Sequence, residues 1–423
     1  MEFFQVSGKR VRIDTADAET FRIVRLRVAE VLDTSAECTE LLTPAGEKLT
    51  DTQPLEDVGP ISVTVVILAD PAEAELAGLC GVELFADLFA RTSLELPRTG
   101  LAALPRNVAR LAALTEVDLS GNELVSLPGC FGQLSSLTTL NCMGNLLVSL
   151  PDGFGQLTSL TDLVLNDNQL SSLPQDFRQL AGLSELFVLD NRLALLPDGF
   201  WQLASLTTLG LTNNQLISLP HEVGQLTTLT TLHVDDNRLV SLPDALCQLT
   251  CLTALRFKGN GLVSLPNSLG QLSTLKSLVL TENQLASLPN SSGQLSSIIA
   301  LFLGNNQLVS LPNEFVQLTA LSTLCLENNR LASLPDDFRL LACLTSVVFD
   351  ENRLVSLPIC FGQLPSLIAL FLKNNKLASL PEDFGLLTTL TVLNLSGNQL
   401  ASLPAGLTNL KPRILEGLYR TLK

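Results

Sequence analysis

The chain has 423 residues, of which 46% are hydrophobic and 16% are charged, and its formal net charge is -16. A chain of this length and apolar content can bury a sizeable core, which excludes disorder. Its acidic balance repels phosphate groups, so neither nucleic acid nor an anionic lipid surface is expected as a partner. Aromatic residues make up only 5% of the chain while Leu predominates, which favours a repeated Leu scaffold over an ordinary mixed core.

The location of the protein is predicted from its N-terminal sequence and its cysteines. The stretch MEFFQVSGKRVRID carries charges where a signal peptide would need an apolar core, and no run of about 18 apolar residues occurs. We therefore expect a cytoplasmic or nuclear protein without membrane insertion. The nine Cys residues are odd in number and scattered, which predicts reduced thiols rather than disulfides or a metal site. No cofactor is expected.

Residues 1–69 alternate between apolar and polar positions in a pattern that predicts a small mixed domain. The stretch FFQVSGKRVRID indicates two strands joined by a Ser-Gly-Lys turn. Residues 20–32 place four apolar side chains on one face of a helix. A short strand at 40–43 and a last strand, ISVTVVIL, at 61–68 complete the order of elements.

This order of strands and helix resembles ubiquitin. The residues that carry the resemblance are Thr20-Phe21, Val24 and Val28 in the helix, and Leu41-Leu42, Ala45-Gly46 and Leu55 to Asp57 in the second half. The resemblance implies a ubiquitin-like β-grasp fold with an apolar binding patch around Leu42 and Val66. The last strand continues into Ala69-Asp70-Pro71, so conjugation through a terminal Gly-Gly is not expected. The alternative is a small domain that only caps or positions the rest of the chain.

Residues 70–99 are predicted to be a linker and an N-terminal cap. The stretch DPAEAELAGLC begins with Asp and Pro, which indicates a short helix. An imperfect repeat follows, VELFADLFARTSLELP, with Leu94 and Leu96 at strand positions. Such atypical ends cover the core that a stack of repeats would otherwise expose. Residues 407–423 are predicted to form a basic amphipathic cap at the other end.

A repeat of 23 residues occupies residues 100–406. Its clearest marker is an Asn that recurs at this step thirteen times, from Asn122 to Asn398. Within each unit, period-two alternation of apolar residues predicts a short strand. In one such strand, for example, Leu163 and Leu165 are predicted to point into the core. One such strand cannot bury its own apolar face, so the units are predicted to stack into a solenoid. The Asn amide is expected to bond backbone groups of neighbouring turns and form a ladder.

The unit reads LxxLxLxxNxLxxLPxxFGQLxx, which resembles the 23-residue class of leucine-rich repeats. This class occurs in intracellular proteins such as the plant Ras-group repeat proteins and the Ras-pathway scaffolds of animals. The resemblance implies an α/β fold, with a parallel β-sheet on the concave face and a mostly irregular or short-helical convex side. It also implies signalling scaffolding, with a small GTPase as one candidate partner.

A second register of the repeat holds a bulky apolar residue. Eight units carry Phe there, at Phe131, Phe154, Phe177, Phe200, Phe315, Phe338, Phe361 and Phe384. The series is interrupted by Val223, Leu246, Leu269 and Ser292. One position per unit at constant phase indicates an internal spine, with an aromatic ligand box as the weaker alternative. Ser292 is the predicted weak point.

No catalytic constellation is present in the sequence. It contains no glycine-rich phosphate loop, no GxSxG and no HExxH motif. His233 with Asp235 and Asp236 is interpreted as a solvated polar patch rather than a metal site. His233 and Cys325 lie four units apart, roughly 19 Å at about 4.8 Å per strand, which is too far for a nucleophilic dyad. The chain is therefore predicted not to be an enzyme.

The candidate site is the set of side chains that point outward from the strands. Its predicted members are Val164, Phe187, Leu189, His233, Asp235, Arg256, Lys258, Val279, Phe302, Val348, Phe371 and Lys373. Two apolar islands, one at Phe187 and one from Phe302 to Phe371, are typical of interface anchors. Arg256 and Lys258 either orient a charged partner or balance acidic neighbours. For any single residue the alternative is strand propensity alone.

These observations predict a non-enzymatic, monomeric scaffold or adaptor that binds a protein partner on the concave face, in intracellular signalling. The alternative is a substrate receptor or adaptor of the ubiquitin-proteasome system that docks through the ubiquitin-like domain.

Overall fold

The computed structural model describes residues 2–6, 9–13, 39–42, 64–67, 71–82 and 84–404, with side chains from residue 73 onward. The chain forms two compact units, Met1–Leu160 and Thr161–Lys423. The predicted domain boundaries at residues 69, 99 and 406 stay predictions.

Four strands of the first unit precede the repeats: β1 Glu2–Val6, β2 Lys9–Ile13, β3 Thr39–Leu42 and β4 Thr64–Ile67. They form one sheet in the order β2-β1-β4-β3. β1 is antiparallel to β2 and parallel to β4, and β3 is antiparallel to β4. The helix predicted at 20–32 lies outside the described residues, so these strands do not show a ubiquitin-like domain and that assignment stays a prediction.

A short helix, α1 Pro71–Leu79, confirms the helix predicted after Asp70. Leu76 on this helix is fully buried. The side-chain amide of Asn107 donates a 2.7 Å hydrogen bond to the carboxylate of Glu73, which ties the helix to the first complete repeat. The helix therefore packs as a cap at the start of the repeats.

Three parallel strands follow in the first unit: β5 Ser93–Glu95, β6 Glu116–Asp118 and β7 Thr139–Asn141. Leu94 and Leu96 are 2% and 3% exposed, so the imperfect repeat contributes its Leu residues to the core as predicted. The return segments of this unit contain short 3-10 helices at Phe85–Leu88, Arg106–Arg110, Phe131–Gln133 and Phe154–Gln156.

The second unit has eleven strands of three residues: β8 Asp162–Val164, β9 Glu185–Phe187, β10 Thr208–Gly210, β11 Thr231–His233, β12 Ala254–Arg256, β13 Ser277–Val279, β14 Ala300–Phe302, β15 Thr323–Cys325, β16 Ser346–Val348, β17 Ala369–Phe371 and β18 Val392–Asn394. Each pairs in parallel with the next. A connection of a whole repeat between neighbours permits this parallel arrangement.

The return segments of the second unit are 3-10 helices at Gln175–Gln179, Asp198–Gln202, His221–Gln225, Asp244–Gln248, Leu269–Gln271, Asn290–Gln294, Asn313–Gln317, Phe338–Leu340, Phe361–Gln363 and Glu382–Leu386. Many start directly after the Pro of the Leu-Pro pair, whose fixed φ suits an extended entry into the turn. The prediction of a parallel sheet with a short-helical return side is confirmed.

The predicted Asn ladder is confirmed. Asn329 is 7% exposed, and its side-chain carbonyl accepts a 3.0 Å hydrogen bond from the Leu308 N–H of the preceding repeat. Its side-chain amide donates to the backbone carbonyls of Leu303 at 3.0 Å and Leu326 at 3.1 Å. Because each Asn satisfies backbone groups of two repeats, its buried polar cost is offset and the spacing between repeats is fixed.

The Phe register forms an internal spine, as predicted. All eight Phe side chains are fully buried. In the second unit Phe338 and Phe361 stack with ring centroids 5.7 Å apart and an interplanar angle of 15°. Ser292 is also buried, and its hydroxyl has no hydrogen-bond partner in the described part of the chain. It leaves a polar group where its neighbours supply apolar volume.

Candidate protein-binding surface

The outward side chains of β8–β18 form a surface that we call the strand face. Leu163 and Leu165 are fully buried, whereas Val164 between them and Asn166 beyond them are partly exposed. The strand register places the equivalents of Val164 side by side along the sheet, for example Cys325 between Phe302 and Val348. The predicted column of outward residues therefore exists as one row within the second unit.

The first apolar island of the strand face, Phe187 and Leu189, lies over Gly210 of the next strand, which has no side chain. A Cβ atom added to Gly210 would come within 2.7 Å of the Leu189 side chain and 2.9 Å of the Phe187 ring. Gly210 is buried although it points outward. Phe187 and Leu189 thus lie across the neighbouring strand, which covers part of their own apolar surface.

Charged side chains occupy the middle of the strand face, and they pair with one another. The Arg256 guanidinium donates to the Asp235 carboxylate at 2.7 Å, and the backbone N–H of Lys258 donates to the same carboxylate at 2.7 Å. The Lys258 ammonium lies 3.3 Å from Glu282. The basic residues therefore balance their acidic neighbours, which was one of the two interpretations of this spot.

Asp235 is only 4% exposed, so the prediction of a solvated polar patch is wrong for this residue. Its carboxylate is buried because the next repeat supplies two donors to it. The Arg256 side chain that pairs with it is 43% exposed, so a partner on the strand face would contact Arg256 rather than Asp235. The pKa of the adjacent His233 is lowered by burial and by Arg256, while Asp235 acts in the opposite direction. The neutral imidazole is thereby favoured at this position.

The second apolar island extends over four neighbouring strands, β14 to β17. Its row consists of Phe302, Cys325, Val348 and Phe371, all half-buried. Burial and the nearby Glu327 raise the pKa of Cys325 to about 11, so this thiol remains protonated and apolar. Two aromatic rings flank two smaller side chains, and this arrangement leaves a shallow apolar surface between them.

Carboxylates line one side of the second island. Burial raises the pKa of Asp350, while a 2.6 Å hydrogen bond from the Lys373 N–H and the Lys373 charge act against it. The Glu327 carboxylate covers Gly304, since a Cβ there would collide with it. The Glu327 Oε2 atom is buried and has no hydrogen-bond partner among the residues that the structure describes. A buried acceptor without a donor carries a desolvation cost that no hydrogen bond offsets.

Glu327 points outward from its strand but was not among the predicted members of the candidate site. The signal available was Gly304, an outward glycine that leaves space for the longer Glu at the same position of the next repeat. The remaining predicted residues, Val164, Val279 and Lys373, lie on the strand face, and Lys373 is exposed. Leu42 and Val66 lie on β3 and β4, where Leu42 pairs with Thr64 and Val66 with Glu40.

Short parallel strands, a buried Asn ladder and 3-10 return segments define a solenoid of leucine-rich repeats. Two family models match the chain, one described as "Leucine-rich repeat region" at residues 73–196 and 198–282, and one as "Leucine rich repeat" at 273–331 and 342–400. The chain belongs to the leucine-rich-repeat family. Domains of this family are typically protein-binding scaffolds and are generally non-enzymatic.

Solved structures share this fold. A leucine-rich-repeat protein of Leptospira interrogans is 34% identical, with a TM-score of 0.69 over 78% of this chain and 81% of that chain. The plant peptide hormone receptor RGFR1 in complex with RGF2 is 26% identical, with a TM-score of 0.56 over 70% of this chain and 53% of that chain. The Toll–Spätzle complex of Drosophila is 27% identical, with a TM-score of 0.60 over 71% of this chain and 42% of that chain.

The match thus spans about half the length of the last two proteins, and structural relatives of the chain bind protein or peptide ligands. No curated protein matches the sequence. In the part of the chain with described residues, no helix is long and apolar enough to cross a membrane. Those same residues contain no cluster of three or more His, Cys, Asp or Glu side chains suited to a metal ion.

Proposed function

We propose that this chain is a non-enzymatic scaffold that binds a protein partner on the strand face of the second unit. The observation that supports the proposal is the second apolar island, where four consecutive strands each present an apolar side chain to solvent. Aromatic residues partly exposed at the centre of a surface are typical interface anchors. The proposal includes a role in signalling in the cytosol or nucleus, with a small GTPase as one candidate partner.

The test uses the full chain as bait in quantitative affinity capture from a cell extract, with Phe302→Ser and Phe371→Ser combined in one variant. Loss of two aromatic anchors lowers affinity at least tenfold when they lie at the centre of an interface. The matched control is Ile359→Ser, because Ile359 is 90% exposed on the return side and lies outside the strand face. Proteins lost by the double variant and kept by the control are partners of the strand face.

A result in which the double variant and the wild type retain the same proteins would exclude the second island as the binding surface. Circular dichroism of each variant checks that the repeats remain folded. Binding of each candidate partner found in this way to the full chain is then measured with both proteins purified.

A second candidate function is an adaptor of the ubiquitin-proteasome system that docks through residues 1–69. What favours it is the mixed sheet of the first unit, in which β1 pairs in parallel with the last strand, β4, in agreement with the β-grasp resemblance of the sequence. The test measures binding of the full chain to purified proteasomal ubiquitin receptors. Binding that is lost with Leu42→Ser and Val66→Ser combined, but kept with the strand-face variant, supports this role. Absence of binding to any receptor argues against it.

A further inference from the structure

A line of exposed apolar side chains runs along the second unit outside the strand face. It occupies the third position after each ladder Asn, and its large members are Ile217, Val240, Val263, Val309 and Val355. They are between 49% and 65% exposed. Exposed alanines hold this position in other repeats, including Ala286, Ala332 and Ala378. We call this line the apolar ridge.

The backbone of the apolar ridge is already hydrogen-bonded along the stack. The Ala332 N–H donates to the Val309 carbonyl at 3.4 Å, and the Val355 N–H donates to the Ala332 carbonyl at 3.3 Å. Ala332 therefore uses both of its backbone groups within the chain. A partner strand cannot pair with the ridge through these groups, so a partner must contact it through side chains.

Positive charges flank the apolar ridge. In five repeats, the residue two positions before the ridge residue is a cation. These cations are Arg192, Arg238, Arg330, Arg353 and Lys376. All five are exposed, and none forms an ion pair with another described residue. We call them the basic row. The chain has a net charge of -16, yet three successive repeats, with Arg330, Arg353 and Lys376, carry an unpaired cation at this position, whereas Gln or Gly holds it in the repeats between Arg238 and Arg330.

The acidic residues nearest in sequence to the ridge lie four positions from it on either side. Those that follow it are all exposed: Asp198, Asp244, Asp336 and Glu382. Those that precede it belong to the turns before the ladder Asn. Asp190, Asp236 and Glu351 adopt positive φ values of 52° to 57° there. They lie four positions before the ridge, whereas the basic row lies two positions before it. Along the sequence, the basic row is therefore nearer to the ridge than any of these carboxylates.

We propose that the apolar ridge docks an amphipathic α-helix of a protein partner, with acidic residues flanking the apolar face of that helix. The spacing decides the shape of the partner. Hydrogen-bonded neighbouring backbones place the ridge side chains about 4.8 Å apart. A helix laid along the ridge offers one apolar group per turn of about 5.4 Å, whereas an extended strand offers one on the same face about every 6.8 Å. The helix stays in step with several repeats and the strand does not.

The charges of the basic row favour a helix with acidic residues beside its apolar face. Carboxylates beside its apolar face meet the basic row, where each guanidinium can donate two hydrogen bonds to a carboxylate. The ridge and the strand face consist of different residues, so this binding is independent of the proposed function.

The test measures binding of two fluorescein-labelled model helices to the full chain by anisotropy. Both have about 22 residues, roughly 33 Å at 1.5 Å per residue, with Leu on one face, and they carry either Glu or Lys beside that face. We expect the Glu helix to bind at least tenfold more tightly than the Lys helix. Val240→Ser, Val309→Ser and Val355→Ser together lower its affinity at least tenfold, while Ile359→Ser leaves it unchanged.

Charge reversal separates specific docking from general stickiness. Arg238→Glu, Arg330→Glu and Arg353→Glu together should transfer the preference to the Lys helix. The proposal is overturned if the Glu helix does not bind at about 100 µM, an affinity weaker than about 5.5 kcal/mol, or binds the serine variant as well as the wild type. Phosphatidylserine vesicles are the third probe, and ridge-dependent binding to them without binding of the Glu helix would assign the ridge to a lipid surface instead.

Discussion

The middle of the second unit differs from its C-terminal part both inside and outside. In the middle, the spine position is held by Leu246, Leu269 and Ser292, and the outward strand positions carry paired charges. Toward the C-terminus, from Phe315 to Phe384, the spine is filled by Phe and the strand face presents its second apolar island. The Asn ladder is the same in both regions, since the same bond from a Leu N–H to the Asn side chain recurs.

This difference shows that the repeat separates three tasks. The ladder Asn and the Leu residues hold the frame, the spine position sets how well the interior is filled, and the outward positions set what the surface can bind. Because each repeat contacts mainly its neighbours, a substitution in one repeat affects mainly that repeat and the two beside it. The predictions below test the contrast between the two regions, beginning with the largest effect.

The filled spine should be the more sensitive region. Phe361→Ala removes a fully buried ring that stacks on Phe338, so we expect a loss of about 3–5 kcal/mol in the free energy of unfolding. Urea unfolding followed by circular dichroism measures it. Leu386→Ala is the control, since Leu386 is 56% exposed and its change should stay within about 0.5 kcal/mol. A loss below about 1 kcal/mol for Phe361→Ala would mean that the spine does not support the frame.

The charge cluster in the middle should matter less. Arg256→Met leaves the nearly buried Asp235 with one donor fewer, but water reaches the pair because the Arg256 side chain is 43% exposed. We therefore expect a loss of about 1–2 kcal/mol, below the cost of breaking a fully buried pair. Lys258→Met breaks an exposed pair and should cost no more than about 0.5 kcal/mol. Equal losses in the two variants would contradict this account of the cluster.

The stability of the protein should increase when Ser292, the polar residue in the Phe spine, is replaced. Ser292→Ala removes a buried hydroxyl without a partner, and we expect the protein to gain about 1 kcal/mol of stability. Ser310→Ala, at an exposed position, is the matched control with little effect. If Ser292→Ala destabilises the protein instead, the hydroxyl has a bonding partner and the middle of the spine is not a weak point.

The smallest effect concerns pH. The pKa of His233 is lowered in the folded protein, so the unfolded chain binds a proton first when the pH falls below about 6.5. Stability should therefore decrease as the pH falls from 7 through the folded pKa, and level off below it. Arg256→Met should raise the His233 pKa toward its ordinary value and flatten this dependence. Histidine ring signals in an NMR titration measure the pKa, and an unchanged value in Arg256→Met would refute the role of Arg256.

Much of the fold and part of the candidate surface could be predicted from the sequence. The 23-residue period located the strands of the repeats, the ladder Asn and the Phe spine, since each depends on residues within one repeat or at the same position of the next. The outward row that includes Phe302 and Phe371 followed from strand alternation alone. The burial of Asp235 was not predicted, because it depends on which donors the neighbouring repeat aims at it.

The sequence by itself determined the frame. A fixed period requires that equivalent residues of successive repeats contact each other. Leu, Asn and Phe at constant phase can then all be buried only when the repeats stack in register. Only the tertiary structure decided which charges cancel and which remain available. Arg256 turns toward Asp235, Glu327 lies over Gly304, and the basic row stays unpaired beside an exposed apolar ridge. These outcomes depend on side-chain conformations at contacts between repeats, and a one-dimensional pattern does not specify them.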